Sequence, residues 1–409
     1  MIYYETVIIW ERSIMGKDLK GRELGKGIIQ KKNGAYEARY IDAYGVRKSI
    51  YSRDLSKIKG ELRDKLYERD HHIQVKKEGM TLDEWFDEWM TVYKKNTIKK
   101  SSILNYNTVY NNYIRDELGR LPLISITKLR IQKLINKMYD EGYSWAVQDK
   151  VKRLLNDMYG RAIEDEFAIR NPTKGLRLMG EKGSYRVLSK EEQEMFFETA
   201  AGTFYENLFI VAVNTGLRPA ELFALTEEDL DFSNKVIHVR RNLLYHKYEE
   251  DDQKTFHWDT PKTKCSTRDV PINSLCEKYL KRQLMMKRRL RLSFPNDTDF
   301  SEVIFVTTHN TPINSSIYHD AINRIVQLRN ELLDDCEKME KFGGHTFRHT
   351  FATRCIEAGV KPKTLQEYMG HATIQMTMNL YVHTMEETKQ EEMLLLEKNT
   401  SNLYRFNIV

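Results

Sequence analysis

Two short segments far apart in the chain place arginines directly after a glycine turn. They are Thr215-Gly216-Leu217-Arg218-Pro219-Ala220-Glu221 and Gly343-Gly344-His345-Thr346-Phe347-Arg348-His349. Pro219 suits a first helical turn, so Arg218 is expected at a helix N-terminus, where an anion is favoured. His345 and Arg348 stand three residues apart on a second helix start and share one face. A guanidinium is permanently charged, and its planar fork of donors matches the oxygens of a phosphate. A fold that uses both arginines must therefore carry two distant helix starts to one point. Glu221, one turn beyond Arg218, is placed to orient its guanidinium.

Downstream lie Gly370-His371, closing a helix expected over Pro362–Met369, and Leu380-Tyr381-Val382-His383. Two arginines on one phosphate can neutralise the charge that builds in a pentavalent transition state. Tyr381 is the candidate nucleophile, and the histidines are candidate proton handlers. A phenol titrates at about 10, so it needs electrostatic help from such neighbours to attack at neutral pH. These are the groups required to break a phosphodiester with a protein hydroxyl, and they point to DNA strand transfer. His345 and His349, four apart, could instead share a metal. The segment lacks the intervening glutamate of a zinc protease and a nearby third ligand, so a packed role for His349 is the better reading and no metal is expected.

At 409 residues the chain exceeds one compact core, and two to three domains are expected. No stretch approaches the uncharged apolar run needed to span a bilayer. The opening Met1–Trp10 is apolar but lacks a basic flank and a small-residue cleavage site, so it is not read as a signal peptide. Both points lead to an expected cytoplasmic location. Cys265, Cys276, Cys336 and Cys355 are scattered, which argues for reduced thiols rather than a disulfide or zinc framework. Charge is uneven: residues 1–180 carry 35 lysines and arginines against 25 acids, and residues 181–409 carry 30 against 34. Affinity for a polyanion is therefore expected mainly from the front half.

The pattern along the chain changes twice. Residues 1–14 differ from the basic, glycine-bearing stretch that Met15 opens, and they read as an extension. Ile28–Lys32, Ala35–Ile41 and Val46–Tyr51 alternate as strands, with Asn33-Gly34 as a hairpin turn and a second turn at Asp42–Gly45. A helix over about 54–69 comes next, capped by Ser52 or Asp54. Arg39, Arg47 and Lys48 lie on these strands as candidate DNA contacts. Beyond a charged connector, Thr81 and Glu84 form a capping box, and Leu82, Trp85, Phe86 and Trp89 fall at helical spacing as core. Helices are expected at about 101–113, 127–141 and 145–166. Lys99 and Lys100 flank a helix start, where backbone N–H groups and lysines together suit a DNA phosphate. A Gly-, Lys- and Arg-rich stretch to Tyr185 reads as a linker. Ser189 and Glu192 form another capping box, and the segments after it are mostly helical, with strand-like runs at Lys235–Arg240 and Arg268–Ile272. Residues 385–398 read as a helix with an apolar patch at Met393–Leu396.

With these motifs in order, T-G-L-R-x-x-E-L, H-x-x-R-H, G-H and Y, the chain resembles the tyrosine recombinases, the phage-type integrases, and among them the integrases of conjugative transposons. The likeness spans essentially the whole chain. It implies a multidomain, mainly helical protein with small β elements: an arm-type DNA-binding domain (15–73) of three strands and a helix, a helical core-binding domain (79–174), a linker (175–184), a mixed α/β catalytic domain (185–384) and a tail helix (385–409). By this resemblance Arg218 and Arg348 hold the scissile phosphate, Tyr381 becomes 3′-phosphotyrosyl, His345 manages protons, and His371 hydrogen-bonds the phosphate. A lysine on a β-hairpin, Lys262 or else Lys264 within Thr260–Pro271, protonates the departing 5′ oxygen. The resemblance also implies double-stranded DNA at core and arm sites, a tetramer assembled on DNA through the tail, an excisionase-type directionality factor, and no cofactor. Two other readings share the motifs: a type IB topoisomerase-like relaxing enzyme, and an inactive architectural DNA-binding protein.

Overall fold

The structure is a computed structural model that describes residues 15–41, 46–70, 79–261, 264–331 and 338–381. The expectations for residues 1–14, the turn at 42–45, the connector, Lys262 and the tail helix lie outside the described residues. The described residues are mainly helical with small antiparallel sheets, the class expected. The chain divides between Gly183 and Ser184 into two compact units.

The first unit opens with a short pair, β1 (Met15–Lys17) and β2 (Glu23–Lys26), in a stretch that had suggested no strands. The expected meander comes next in the order β3 (Ile28–Gln30), β4 (Tyr36–Ile41), β5 (Arg47–Ser52). Lys31 N–H donates to the Ala35 carbonyl, and Gly34 takes φ +82°, which closes the turn that Asn33-Gly34 announces. Asp54 accepts from the N–H groups of Ser56 and Lys57 and so caps α1 (Leu55–Asp70), whose Ile58 and Leu62 pack on Ala38 and Tyr40. The three candidate DNA contacts on the strands do not share a face. Cross-strand register places Arg39, opposite Ser49, and Arg47, opposite Ile41, on the outer face, whereas Lys48 opposes Tyr40 on the other. Side chains alternate along a strand, so adjacent residues 47 and 48 cannot face one way.

The helical part of this unit begins at the capping box of Thr81 and Glu84, with α2 (Leu82–Trp89) running on into π-helical turns over Met90–Lys94. It continues through α3 (Lys100–Val109), further π-helical turns over Tyr110–Gly119, α4 (Lys128–Asp140) and α5 (Trp145–Glu164). Lys99 is the N-cap of α3 and Lys100 its first residue. The aromatics of α2 are core: Phe86 stacks on Tyr110 with centroids 3.8 Å apart, and the Trp85 indole donates to the Met158 carbonyl. The expected linker starts later than 175. Leu176 is buried in this core, the Gln148 amide pairs with the Met179 backbone in both directions, and Gln132 does the same at Arg177. These backbone groups are satisfied by the bundle, which is why the stretch belongs to it.

In the second unit the capping box of Ser189 and Glu192 starts α6 (Lys190–Ala200), and then come α7 (Glu206–Thr215) and α8 (Pro219–Phe223). A sheet of order β10-β7-β6 contains the two strand-like runs, as β7 (Val236–Val239) and β10 (Arg268–Pro271), with β6 (Leu230–Asp231) at its edge. Between them a separate hairpin, β8 (Asn242–His246) and β9 (Thr255–Asp259), interrupts the sheet. The segment Thr260–Pro271 is therefore not itself a hairpin. β9 pairs with β8 and β10 pairs with β7, so the stretch between them crosses from one sheet to the other, its described part carrying a 3₁₀ turn at Lys264–Ser266. Helices α9 (Ser274–Ser293), α10 (Ser315–Asn330), α11 (His345–Glu357) and α12 (Pro362–Met369) complete most of the unit, and residues 374–381 are helical, here α13.

Phe347 fixes α11 to this core. It is fully buried, and its ring lies 5.4 Å from Phe196, 5.4 Å from Phe342 and 5.9 Å from Phe209. It stands between His345 and Arg348 in sequence, so core packing and site geometry are set by the same turn of helix. Phe347→Ala is expected to destabilise the second unit by about 3–5 kcal/mol, measured by denaturant unfolding of the full chain. A loss below about 1 kcal/mol, the usual size at surface sites, would contradict this packing.

Candidate active site

The two arginines reach one place through backbone carbonyls. Helix α7 ends at Gly216 in the left-handed region (φ +61°), where a Cβ would lie 2.3 Å from the Phe351 ring. The chain turns there, and Arg218 becomes the N-cap of α8, with Pro219 as its first residue. Arg348, buried on α11, donates from Nη1 to the Gly216 carbonyl at 2.7 Å and from Nη2 to the Met369 carbonyl. Arg218 donates from Nη2 to the Gly370 carbonyl at 3.3 Å. The two guanidinium groups, 130 positions apart in the sequence, end on successive carbonyls at the close of α12.

Glu221 sits beneath them. It is 2% exposed, and its Oε1 accepts from Arg218 Nη1 at 2.7 Å while Oε2 accepts the Arg218 backbone N–H at 3.0 Å. A second arginine, Arg268 on β10, donates from Nη1 to Oε1 at 3.1 Å and from Nη2 to Oε2 at 2.9 Å. Burial opposes ionisation of Glu221, but hydrogen bonds and charge from Arg268 and then Arg218 outweigh it and hold the carboxyl below its ordinary value. Arg268 was missed in the sequence. The signal was strand alternation: Arg268 shares a face with buried Val270, and a charge on a core-facing position requires a partner.

The histidines are held neutral. His345 opens α11 on its exposed side; partial desolvation first, then Arg348 and Arg218, push its pKa below the ordinary value. His371 comes after Gly370, which takes φ +59°, and its Nδ1 pairs with the buried Thr377 hydroxyl at 2.9 Å. Burial, then Arg348, Arg218 and Arg268, push His371 down to about 4. His349 is pushed to about 4 by burial and then by His345 and Arg348; its ring packs 4.7 Å from that of Tyr185, and its Nδ1 has no hydrogen-bond partner. Arg348 is pushed downward by burial and then by Arg218, yet a guanidinium keeps its proton at any ordinary pH. The result is a positive pocket lined by neutral imidazoles. Among the described residues, no group of three or more histidine, cysteine or acidic side chains is arranged to hold a metal ion.

Tyr381 stands apart from this convergence. It packs with Ala352, Leu365 and Met369, and its hydroxyl donates to the Val360 carbonyl. Burial and then the Cys355 thiol raise its pKa; no arginine acts on it in this geometry. The structure thus unites Arg218, Arg348, Glu221, His345 and His371, and keeps the tyrosine hydroxyl on a backbone carbonyl. Lys262 lies outside the described residues, and Lys264 opens the 3₁₀ turn beside β10. Arg39 forms a fork with Glu37 at 3.0 and 3.1 Å on the outer sheet face, where Tyr51 and Lys31 also reach that carboxylate.

Comparison with known proteins places this arrangement. Residues 186–388 match the model of the phage integrase family, residues 81–139 that of the phage integrase N-terminal SAM-like domain, and residues 12–78 that of the DNA binding domain of Tn916 integrase. The chain belongs to the phage integrase family and is a tyrosine-type recombinase. Within that family it is similar to the transposases from transposon Tn916 of Enterococcus faecalis and from transposon Tn1545 of Streptococcus pneumoniae. Each is 29% identical over 402 residues, covering 93% of this chain and 96% of the relative. Among solved structures it is similar to the Tn1549 transposon integrase in complex with a circular intermediate DNA: 26% identity, TM-score 0.67, 78% of this chain and 99% of that one. A lambda integrase dimer bound to a core site shares the fold at 19% identity and TM-score 0.55, covering 88% of this chain and 95% of that one.

The lowered histidines give a pH dependence. Between about 6.5, the ordinary value, and about 4, the unfolded chain binds protons at positions 349 and 371 that the folded chain does not, so this contribution is complete above the upper limit and is lost as pH falls. His349→Gln and His371→Gln are each expected to flatten the fall in unfolding midpoint between pH 7 and 4.5. Parallel profiles for variant and parent would contradict the assignment.

Proposed function

We propose that this chain is a site-specific DNA recombinase that integrates and excises a mobile element through a 3′-phosphotyrosyl intermediate. The observation that carries the reading is the convergence of Arg218 and Arg348 on successive carbonyls above a buried carboxylate. Donors fixed before the phosphate arrives stabilise its developing charge without reorganising in the transition state.

In this reading the phosphate rests on the two guanidinium forks. With Nδ1 of His371 engaged by Thr377, Nε2 is the nitrogen that meets a phosphate oxygen. Tyr381 leaves the Val360 carbonyl, and its oxygen attacks phosphorus as the bond to the 5′ oxygen breaks. A neutral imidazole, His345, takes the phenol proton, and Lys262, or Lys264, supplies a proton to the departing 5′ oxygen. Attack by a 5′ hydroxyl of another strand reverses the sequence. The phosphodiester energy is conserved in the tyrosyl bond, so no nucleotide cofactor is consumed.

The domain assignments support duplex DNA as partner at core and arm sites, with Arg39, Arg47, Lys48, Lys99 and Lys100 as phosphate contacts. Structures of a lambda integrase tetramer on a Holliday junction support a tetramer as the working assembly. An excisionase-type directionality factor and a cytoplasmic location complete the proposal; among the described residues no helix is long and apolar enough to cross a membrane. The amino-terminal match to the DNA binding domain of Tn916 integrase favours recombination between specific sites over simple relaxation of supercoils.

Tyr381→Phe is expected to bind a duplex from the element's ends with unchanged affinity and to form no covalent adduct on a nicked suicide substrate. Adduct formed by that variant would reject the nucleophile. Arg348→Lys keeps a charge but loses the fork, and is expected to lower the single-turnover cleavage rate by about 100-fold or more. A rate within threefold of the parent would remove Arg348 from the phosphate.

A further inference from the structure

Arg268 takes no part in the proposed reaction, yet four of its N–H groups are engaged in this one region. Its side chain is 6% exposed. Beyond the fork on Glu221, Nε donates to the Tyr368 carbonyl at 2.7 Å, and Nη1 also donates to the Ser266 carbonyl at 3.1 Å. Tyr368 immediately precedes Met369 and Gly370, whose carbonyls receive Arg348 and Arg218. The approach is close: a Cβ on Gly370 would meet Arg268 Cδ and Nη1 at 3.0 Å and the Cys265 carbonyl oxygen at 3.1 Å.

We infer that Arg268 is a positioning residue for the phosphate pocket, acting by competing with Arg218 for the carboxylate of Glu221. The inference rests on the assignment of Arg218 to the phosphate. Glu221 offers two oxygens to two guanidinium groups. Because Arg268 occupies both oxygens with its own fork, Arg218 places a single side-chain nitrogen, Nη1, on Glu221 and one on Gly370. The N–H groups not so engaged are left for a ligand.

Without Arg268, a carboxylate buried to this depth has one cationic partner left. Buried charge strongly favours the fullest pairing it can find. Arg218 would then turn its fork onto Glu221 and away from the phosphate. The same loss would release the Tyr368 carbonyl, and with it the end of α12 that carries Met369, Gly370 and His371. Arg268 thus links β10 to three parts of the site without touching substrate.

The test is single-turnover cleavage of a nicked suicide duplex by the full chain, with duplex affinity measured in parallel. Arg268→Met is expected to slow cleavage by about 100-fold, the usual cost of displacing a positioned group by an ångström, with affinity within threefold of the parent. Adding Glu221→Gln removes the charge that captures Arg218, so the double variant R268M/E221Q is expected to cleave faster than R268M. A purely structural role would restore rate only in step with the unfolding midpoint, which is read on both variants; faster cleavage by the double variant at an equal midpoint is the result expected here. If R268M fails to fold, Arg268→Lys, which keeps a charge but cannot fork both oxygens, is read for the same separation of rate from affinity. Parental cleavage by R268M, a parallel fall of rate and affinity, or a double variant no faster than R268M would overturn the inference. Arg218→Ala is the control: normal cleavage by it would overturn the pocket itself, whereas an inactive R218A beside a normal R268M overturns only the role of Arg268.

Discussion

The site depends on a carboxylate that has almost no contact with water. Glu221 receives two guanidinium groups and a backbone N–H, and through them the turn after α7, the start of α8 and strand β10 are held in one arrangement. A buried charge with its partners removed costs several kcal/mol, far more than a surface pair contributes. The arrangement is therefore strict: losing one arginine throws the buried carboxylate onto the other, and losing both leaves an unpaired charge in the core. Satisfying it leaves a net positive pocket, since Arg348 adds a third guanidinium whose own hydrogen bonds go to neutral carbonyls.

Burial, reinforced by that positive field, keeps His345, His349 and His371 without their second proton. A neutral imidazole can donate from one nitrogen and accept at the other, which a charged one cannot. An arriving phosphate brings negative charge into the same field and favours proton uptake by these rings at the moment when a base is needed. Tyr381 obeys a different logic. Its phenol is raised by burial and held on a carbonyl, so the nucleophile is not activated where it rests.

Much of this was legible in the residues themselves. Capping boxes at Thr81 and Ser189 were written in the chain because a side chain three residues on must answer each cap, and both helices start there. The end of α12 at Met369 was legible from Gly370, which alone tolerates the left-handed turn that the Arg268 side chain crowds. Arg218 and Arg348 were legible because a glycine turn leading into a helix start is a local pattern. What the chain did not disclose was non-local. The β8–β9 hairpin was hidden because its strands mix polar and aromatic residues in place of clean alternation. The resting place of the Tyr381 hydroxyl depends on Val360, which no spacing rule connects to it. Lys48 separated from Arg39 and Arg47 because register, set by pairing with β4, decides the face.

The most direct measurement replaces the scissile phosphate by a methylphosphonate, which removes one negative charge from the group that the two arginines are held to share. If both guanidinium groups act on one phosphorus, an Arg348→Ala variant that fails on the phosphodiester should regain cleavage on the neutral analogue while retaining its dependence on Tyr381. Equal failure of that variant on both substrates, while the parent enzyme cleaves the analogue, would show that the arginines do not converge on the reacting phosphate.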